Sequence, residues 1–427
     1  MVKVESHGIL VNSKSQSVQN KNFIMVLLGQ IVSAFGSSIL RFAIPLYLLE
    51  ISGSPALFGT VMALSALPTV ILSPIGGVLA DRVNKKKIMV VLDFTMAALV
   101  LLYMLTIGVF AIVPATIAIM MALFGVTTMM DPAVEGSIPL IVPADQLVKA
   151  NSLISLVGSL SNLLGPALGG ILFAGFGLYS ILIVCVVAKF LAAIMEIFIR
   201  IPNVKQEAAD NVFAMVFGDM AKGLRFIFKE CPQIAKIMIT IFLVQITLAP
   251  LATIGIPVLI SHNLGMDGSA VGIAQGAMGV GGILGGILTG ILGKKLRIQK
   301  AHWLLFAGSI VFATIGIAFM VNAHYSVIYI TILSLTLIAM CLITLITIQI
   351  FTFIQTETPP EMLGKVSALS TMLIMVGITL GQFIFGMLFE QFESLPWVVV
   401  FIATGLSAMV ALNSRRYFKG IIASAKA

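Results

Sequence analysis

Apolar runs of about twenty residues or more recur along the whole chain, separated by short polar breaks. They fall at about 23–49, 56–79, 88–110, 112–141, 147–173 and 178–200 and, after a polar segment from Pro202 to Ile234, at about 236–261, 269–293, 301–321, 325–354, 364–389 and 396–414. Each run is long enough, as a helix, to cross the roughly 30 Å hydrocarbon core of a bilayer. The pattern predicts an all-α polytopic membrane protein with twelve transmembrane helices arranged as six plus six. The run that follows the polar first 21 residues is too long for a signal-peptide core and no small-residue cleavage site follows it, so it is expected to be a retained span.

Composition agrees with this reading. Of 427 residues, 59% are hydrophobic and 10% charged, which a water-soluble globule with a normal surface could not sustain. The net charge of +8 could suggest nucleic acid, but the cations stand in short clusters at the ends of apolar runs, with no basic face carrying aromatics among them. Their distribution fits membrane topology. The loops after spans 2, 4, 8 and 10, the two tails and the central linker hold 23 of the 25 lysines and arginines, and the alternate loops hold none. Both termini are therefore expected on the cytoplasmic side. Cys185, Cys231 and Cys341 show no paired or metal-ligand spacing, so neither a disulfide nor a metal site is expected.

The expected organisation is a cytoplasmic tail over 1–21, a first bundle over 22–200, a cytoplasmic linker over 201–235, a second bundle over 236–416 and a tail over 417–427. Within the linker, Phe213, Met215, Val216, Met220, Leu224 and Phe228 could share one apolar face of a helix lying along the membrane surface. The halves repeat each other: Gly76-Gly77-Val78-Leu79 followed by Lys85-Lys86 recurs as Gly285-Gly286-Ile287-Leu288 followed by Lys294-Lys295, and Pro143, Leu147 and Lys149 have partners in Pro359, Leu363 and Lys365.

The sharpest punctuation is the charged turn Gly76-Gly77-Val78-Leu79-Ala80-Asp81-Arg82-Val83-Asn84-Lys85-Lys86-Lys87. It resembles the signature loop between helices 2 and 3 of the major facilitator superfamily, Gly-x-Leu-Ala-Asp-Arg-x-Gly-Arg-Lys, with Asn84 where the pattern has Gly; Asn tolerates the left-handed turn expected there. Gly165-Pro166-Ala167-Leu168-Gly169-Gly170 in span 5 resembles the Gly-Pro-x-x-Gly-Gly end of that superfamily's antiporter motif, and its bland alternative is ordinary small-residue helix packing. Gly29-Gln30-x-Val32-Ser33, Glu50-x-Ser52-Gly53-Ser54, Asp131-Pro132-Ala133, Pro139-Leu140-Ile141-Val142-Pro143, Gln146-Leu147 and Arg200-Ile201-Pro202 are similar to the bacterial macrolide-efflux branch. The resemblance implies the major facilitator fold, two six-helix bundles and alternating access. It also implies a gating role for Gly77, Asp81 and Arg82, and proton-coupled export by Gly165, Pro166, Gly169, Gly170 and the cavity residues. The sequence departs from many drug–proton antiporters in carrying Leu123 where they place an Arg midway along helix 4.

An ionisable group at a helix centre costs roughly 2.5–3.5 kcal/mol to insert, which makes each one a functional candidate. Arg41, Asp131, Glu135 and Lys189 qualify, whereas Asp93 and Glu196 lie nearer cytoplasmic helix ends and could reach water. Asp131 and Glu135 are four residues apart and share a helix face. Two nearby carboxylates away from water resist ionising together, and Arg41 would let one do so if spans 1 and 4 meet, as the resemblance implies, which makes the three the candidate proton-coupling group. The competing reading has Asp131-Pro132 marking a bend and Glu135 anchoring Arg41. For Lys189 a buried structural pair is the alternative. Gln30, Tyr47, Asn162, Gln245 and Gln349 are candidate substrate contacts.

No Walker loop, His-Glu-x-x-His or Gly-x-Ser-x-Gly is present, so an enzyme is not expected, nor a cofactor or metal. The expected partners are a small amphiphilic substrate, protons and membrane lipids, with no nucleic acid, for a monomer in a bacterial plasma membrane. The alternatives are a lysophospholipid flippase, a siderophore exporter, an uptake symporter and a sensor that has kept a transporter fold.

Overall fold

The computed structural model describes residues 21–109, 111–202, 212–292 and 300–424. The first tail, most of the early linker and Lys294, Lys295 and Arg297 lie outside the described residues. So do the side chains of Asp81, Phe213, Met215 and Val216.

The first half forms α1 (Lys21–Ser52), α2 (Pro55–Arg82), α3 (Lys85–Thr106), α4 (Ile112–Ile141) and α5 (Leu147–Ile197). The linker holds α6 (Val212–Arg225), and the second half forms α7 (Pro232–Thr247), α8 (Gly268–Leu292), α9 (Ala301–Met320), α10 (Tyr325–Glu357), α11 (Pro360–Gln391) and α12 (Pro396–Ser424). Among the described residues eleven helical segments are long and apolar enough to cross a membrane. One of them, α5, has 51 residues, about 75 Å of helix and far more than one crossing needs.

The chain turns back within α5 at Gly177, whose φ of 71° and ψ of 173° are available to glycine alone at low cost. Neighbours show the reversal. Gly165 packs on Ser38 of α1, while Lys189 packs beside Gly36, two residues away on the same helix. These two residues stand equally far before and after Gly177, so the limbs 147–176 and 178–197 are separate crossings and the total is twelve.

Within the first half, α1 packs on α5, α2 on α4, and α3 on both α4 and α5; within the second, α8 packs on α10, α9 on α10 and α12, and α7 on α11 and α12. The halves meet through α5 against α8 and α2 against α11. Side chains such as Leu102, Leu105, Val148, Phe176, Ile183 and Val184 point outward and are exposed, as lipid-facing positions require.

The cores have a telling arrangement. At the end bearing the cation clusters each half has its own: Phe23, Val26, Ile88, Met89, Ile138 and Ile199 in the first, Phe226, Ile234, Ile350, Ile354 and Val366 in the second. Toward the cation-poor end one continuous core joins both, running from Leu46, Phe58 and Phe173 to Leu251, Ile254, Phe385 and Phe389. The halves are therefore clamped at the cation-poor end and separate at the other.

Glycine makes the clamp possible. A Cβ on Gly59 would lie 2.5 Å from the Gln382 carbonyl oxygen, and one on Gly386 would lie 2.9 Å from Gly59 Cα. On the α5–α8 side a Cβ on Gly170 would lie 2.8 Å from Gly272 Cα. Where the halves diverge, Gly77, Gly158, Gly286, Gly290 and Gly364 have no such neighbour within 4 Å.

One local expectation changes. Asn84 has φ −56°, not left-handed, and caps α3 by accepting from Lys87 N at 3.3 Å, which explains an Asn there as a helix start. In α6, Met220 packs against the second core and Gly223 lies under Leu369 of α11, while Leu224 and, just past the helix, Phe228 are exposed.

Candidate functional site

Two cavities meet in the opening between the halves. The first, about 330 Å³, lies within the first half and is lined from α1, α4 and both limbs of α5; Gln30, Arg41, Asp131, Glu135, Asn162 and Lys189 border it. The second, about 260 Å³, lies deeper at the junction of the halves, between Phe42, Phe58, Met62 and Phe124 on one side and Thr253, Pro257 and Gln275 on the other. Arg41 and Asn162 border both. One is thus a polar antechamber and the other a mainly apolar end chamber under the closed clamp.

The site residues are placed by helix breaks. Pro45 has no N–H to return to the carbonyl of Arg41, and Pro166 has none for that of Asn162, so both shared residues present backbone acceptors freed from helical pairing. Pro132 does the same for Thr128, whose carbonyl oxygen would stand 3.0 Å from a Cβ on Gly76; this absence of bulk lets α2 seat on α4.

Arg41 is held by Nε donating to the Ser37 carbonyl at 3.4 Å, and its guanidinium lies over the Phe124 ring at 5.3 Å. The cation lacking at Leu123, which is buried in the core, is thus delivered from α1 to the neighbouring ring of α4. Asp131 and Glu135 follow one another on the same face of α4 and are both open to the cavity, and Asp131 and Arg41 attract each other across it.

The remaining candidates are scattered. Gln30 and Asn162 border the antechamber, and Gln245 borders a separate pocket of about 70 Å³ in the second half. Tyr47 packs edge-on to Phe173 at 6.3 Å, and Gln349 is half-buried, its amide atoms shielded and unpartnered among the described residues; neither borders the three cavities. The glycine-proline segment of α5 has two jobs. Gly165 and Gly169 fit against Ser38, Ile39 and Phe42 of α1, and Gly170 meets α8, so one motif closes a bundle and joins it to the other half. Arg82 is exposed at the end of α2.

Behind the antechamber lies a buried group that joins Lys189 to Asp93 and Glu196, two carboxylates whose places toward helix ends left them within reach of water. Asp93 and Glu196 are 0% and 1% exposed, and Lys189 is 1% exposed. Lys189 Nζ stands 3.4 Å from Asp93 Oδ1 and donates to Ser33 Oγ at 2.6 Å, while Ser33 Oγ donates to Asp93 Oδ1 at 3.0 Å. The signal available was on the facing helix: the small residues Gly29, Ser33 and Gly36 of α1 let α3 and the second limb of α5 close over the group.

The sequence model of the Major Facilitator Superfamily matches residues 26–382. The chain belongs to this superfamily. It is a multi-pass membrane transporter, not an enzyme. Its relatives include macrolide efflux protein A of Streptococcus pyogenes, 24% identical over 384 residues that cover 88% of this chain and 92% of that protein. The enterobactin exporter EntS of Salmonella paratyphi A is 23% identical over 406 residues, covering 93% and 94%. Among solved structures the fold is similar to a bacterial homologue of the iron transporter ferroportin. The TM-score is 0.70 in its inward-facing state (16% identity, covering 91% of this chain and 98% of that one) and 0.59 in its outward-facing state (16%, covering 93% and 98%).

Proposed function

We infer that this transporter exports an amphiphilic, macrolide-type compound across a bacterial plasma membrane in exchange for protons, by alternating access. The observation that carries the reading is the pair of joined cavities: an apolar chamber for the body of a cargo opens into a polar one that holds Arg41, Asp131 and Glu135 together. The cation clusters support a cytoplasmic open end and cytoplasmic termini, and on that reading the structure is inward-open, the state in which cargo enters from inside. The greater likeness to an inward-facing relative supports this assignment.

The two bundles, 22–200 and 236–416, rock about the α2–α11 and α5–α8 contacts, with 201–235 as the tether and Gly77, Asp81 and Arg82 at the cytoplasmic gate. A proton held by Asp131 or Glu135 and a cargo in the chamber compete for the same local charge balance, which is what couples them. Leaving the cavity, a carboxylate proton restores the attraction between Arg41 and the α4 face. The likeness to an enterobactin exporter keeps a siderophore as a second cargo class.

The test is a comparison of cells with and without the protein, for antibiotic susceptibility and for retained siderophore. A lowered susceptibility to macrolides with unchanged siderophore efflux is the expected result; no change for any amphiphilic compound would refute the reading.

A further inference from the structure

Glu196 lies under the antechamber at the far side of the Asp93–Lys189 pair. Its Cγ packs against Gly29 of α1, 3.9 Å from where a Cβ would stand, one turn before the Ser33 that bonds both Asp93 and Lys189. Both Glu196 carboxylate oxygens and Asp93 Oδ2 are without a hydrogen-bond partner among the described residues, in a place that excludes solvent. The charged and titratable groups facing this pocket are Asp93 from α3, Lys189 and Cys185 from the second limb of α5, Arg41 from α1 and, across the cavity, Asp131 from α4.

Charge balance decides what the pocket holds. Lys189 and Asp93 cancel, so an ionised Glu196 would leave one uncompensated charge, unsolvated and unbonded. One proton makes the group neutral. We propose that Glu196, Asp93 and Lys189 form a buried proton-binding site, distinct from Asp131 and Glu135, in which Glu196 is a carboxylic acid when the protein is inward-open.

Ser33 and Lys189 are the link to the cavity. Both border the antechamber on one side and hold Asp93 on the other, so they are the route by which a proton reaches or leaves the pocket. On release the proton passes from Glu196 through Asp93 to the cavity, the group's charge falls from zero to minus one, and Lys189 serves both carboxylates. A positive charge arriving in the antechamber favours that release, which makes the site a second store on the path that couples proton to cargo. This part rests on proton-coupled export; the protonation of Glu196 does not.

The experiment therefore has two arms, both on the full chain. Infrared spectra of purified wild-type protein at neutral pH should contain the C=O stretch of a protonated carboxyl that is missing from Glu196→Gln. Since the amide mimics the neutral acid, the variant should keep the wild-type melting temperature. If that variant does not accumulate, Gly29→Ser places a hydroxyl beside Glu196 and should lower the frequency of the same band. Absence of the band in the wild type, or a band that neither variant changes, overturns the proposal.

In proteoliposomes Glu196→Gln should bind cargo as the wild type does but lose cargo-dependent proton movement, an effect that a purely structural pin would not produce. Wild-type proton movement by this variant would overturn the role in release. A band removed by Glu196→Gln supports the site even if wild-type vesicles move no proton with cargo, a result that would count against proton-coupled export instead.

Discussion

Arg41, Asp131 and Glu135 border one cavity: the four-residue spacing on α4 puts both carboxylates on one face, and α1 brings the cation to it. Asp93 and Glu196 were less legible. Distance from a helix end suggested water, but small residues on α1 let α3 and the second limb of α5 close over them, and that is tertiary packing. The same scale yields a test at the cation-poor end. Asp267 begins α8 by accepting from Ser269 Oγ at 2.5 Å and Ala270 N at 3.1 Å, and these donors hold its carboxyl below the usual carboxylate range. A depressed folded value means that the contribution is present above the unfolded pKa of about 4 and is lost as pH falls through the lower folded value. Asp267→Ala should therefore lose about 1 kcal/mol of stability at neutral pH, as an N-cap loss does, and the difference from wild type should shrink under acid. Detergent-solubilised melting curves across pH would show it; a gap that persists below both values would contradict the capping account.

At the scale of elements, the number and order of crossings could be read from apolar run lengths, including the break between spans 5 and 6, where Gly177 turns the chain without interrupting its helical hydrogen bonding for long. What could not be read was which glycines serve the clamp, because Gly59 and Gly77 look alike in sequence and only one meets a partner. The clamp also has a polar latch: Glu390 of α11 accepts from Ala56 N at 2.9 Å and from Ser54 Oγ, capping the start of α2 from the opposite half. Gly59→Leu would drive a side chain into the Gln382 backbone and part α2 from α11. The population should move toward the outward-open state. In a background with Cys185, Cys231 and Cys341 replaced, Thr253→Cys in the end chamber should then react faster with an impermeant thiol reagent added outside intact cells. Unchanged reactivity would mean that the α2–α11 contact does not control access.

For the whole molecule, the proposed rocking cycle uses the separate cores at one end and the shared core at the other, with the joined cavities as the proposed meeting place of cargo and proton. Neither cavity could be drawn from sequence, since each takes its walls from four or more helices distant along the chain, although the superfamily's signature loop announced that such cavities would exist. The claim on which the rest depends is that cavity carboxylates exchange a proton for cargo. It is tested most directly in proteoliposomes carrying a pH gradient, comparing wild type with the double variant Asp131→Asn, Glu135→Gln. Wild type should accumulate cargo against its gradient, and the double variant should still bind cargo but neither accumulate it nor move protons in response to it. Accumulation of cargo by the double variant, driven by the pH difference, would contradict the claim.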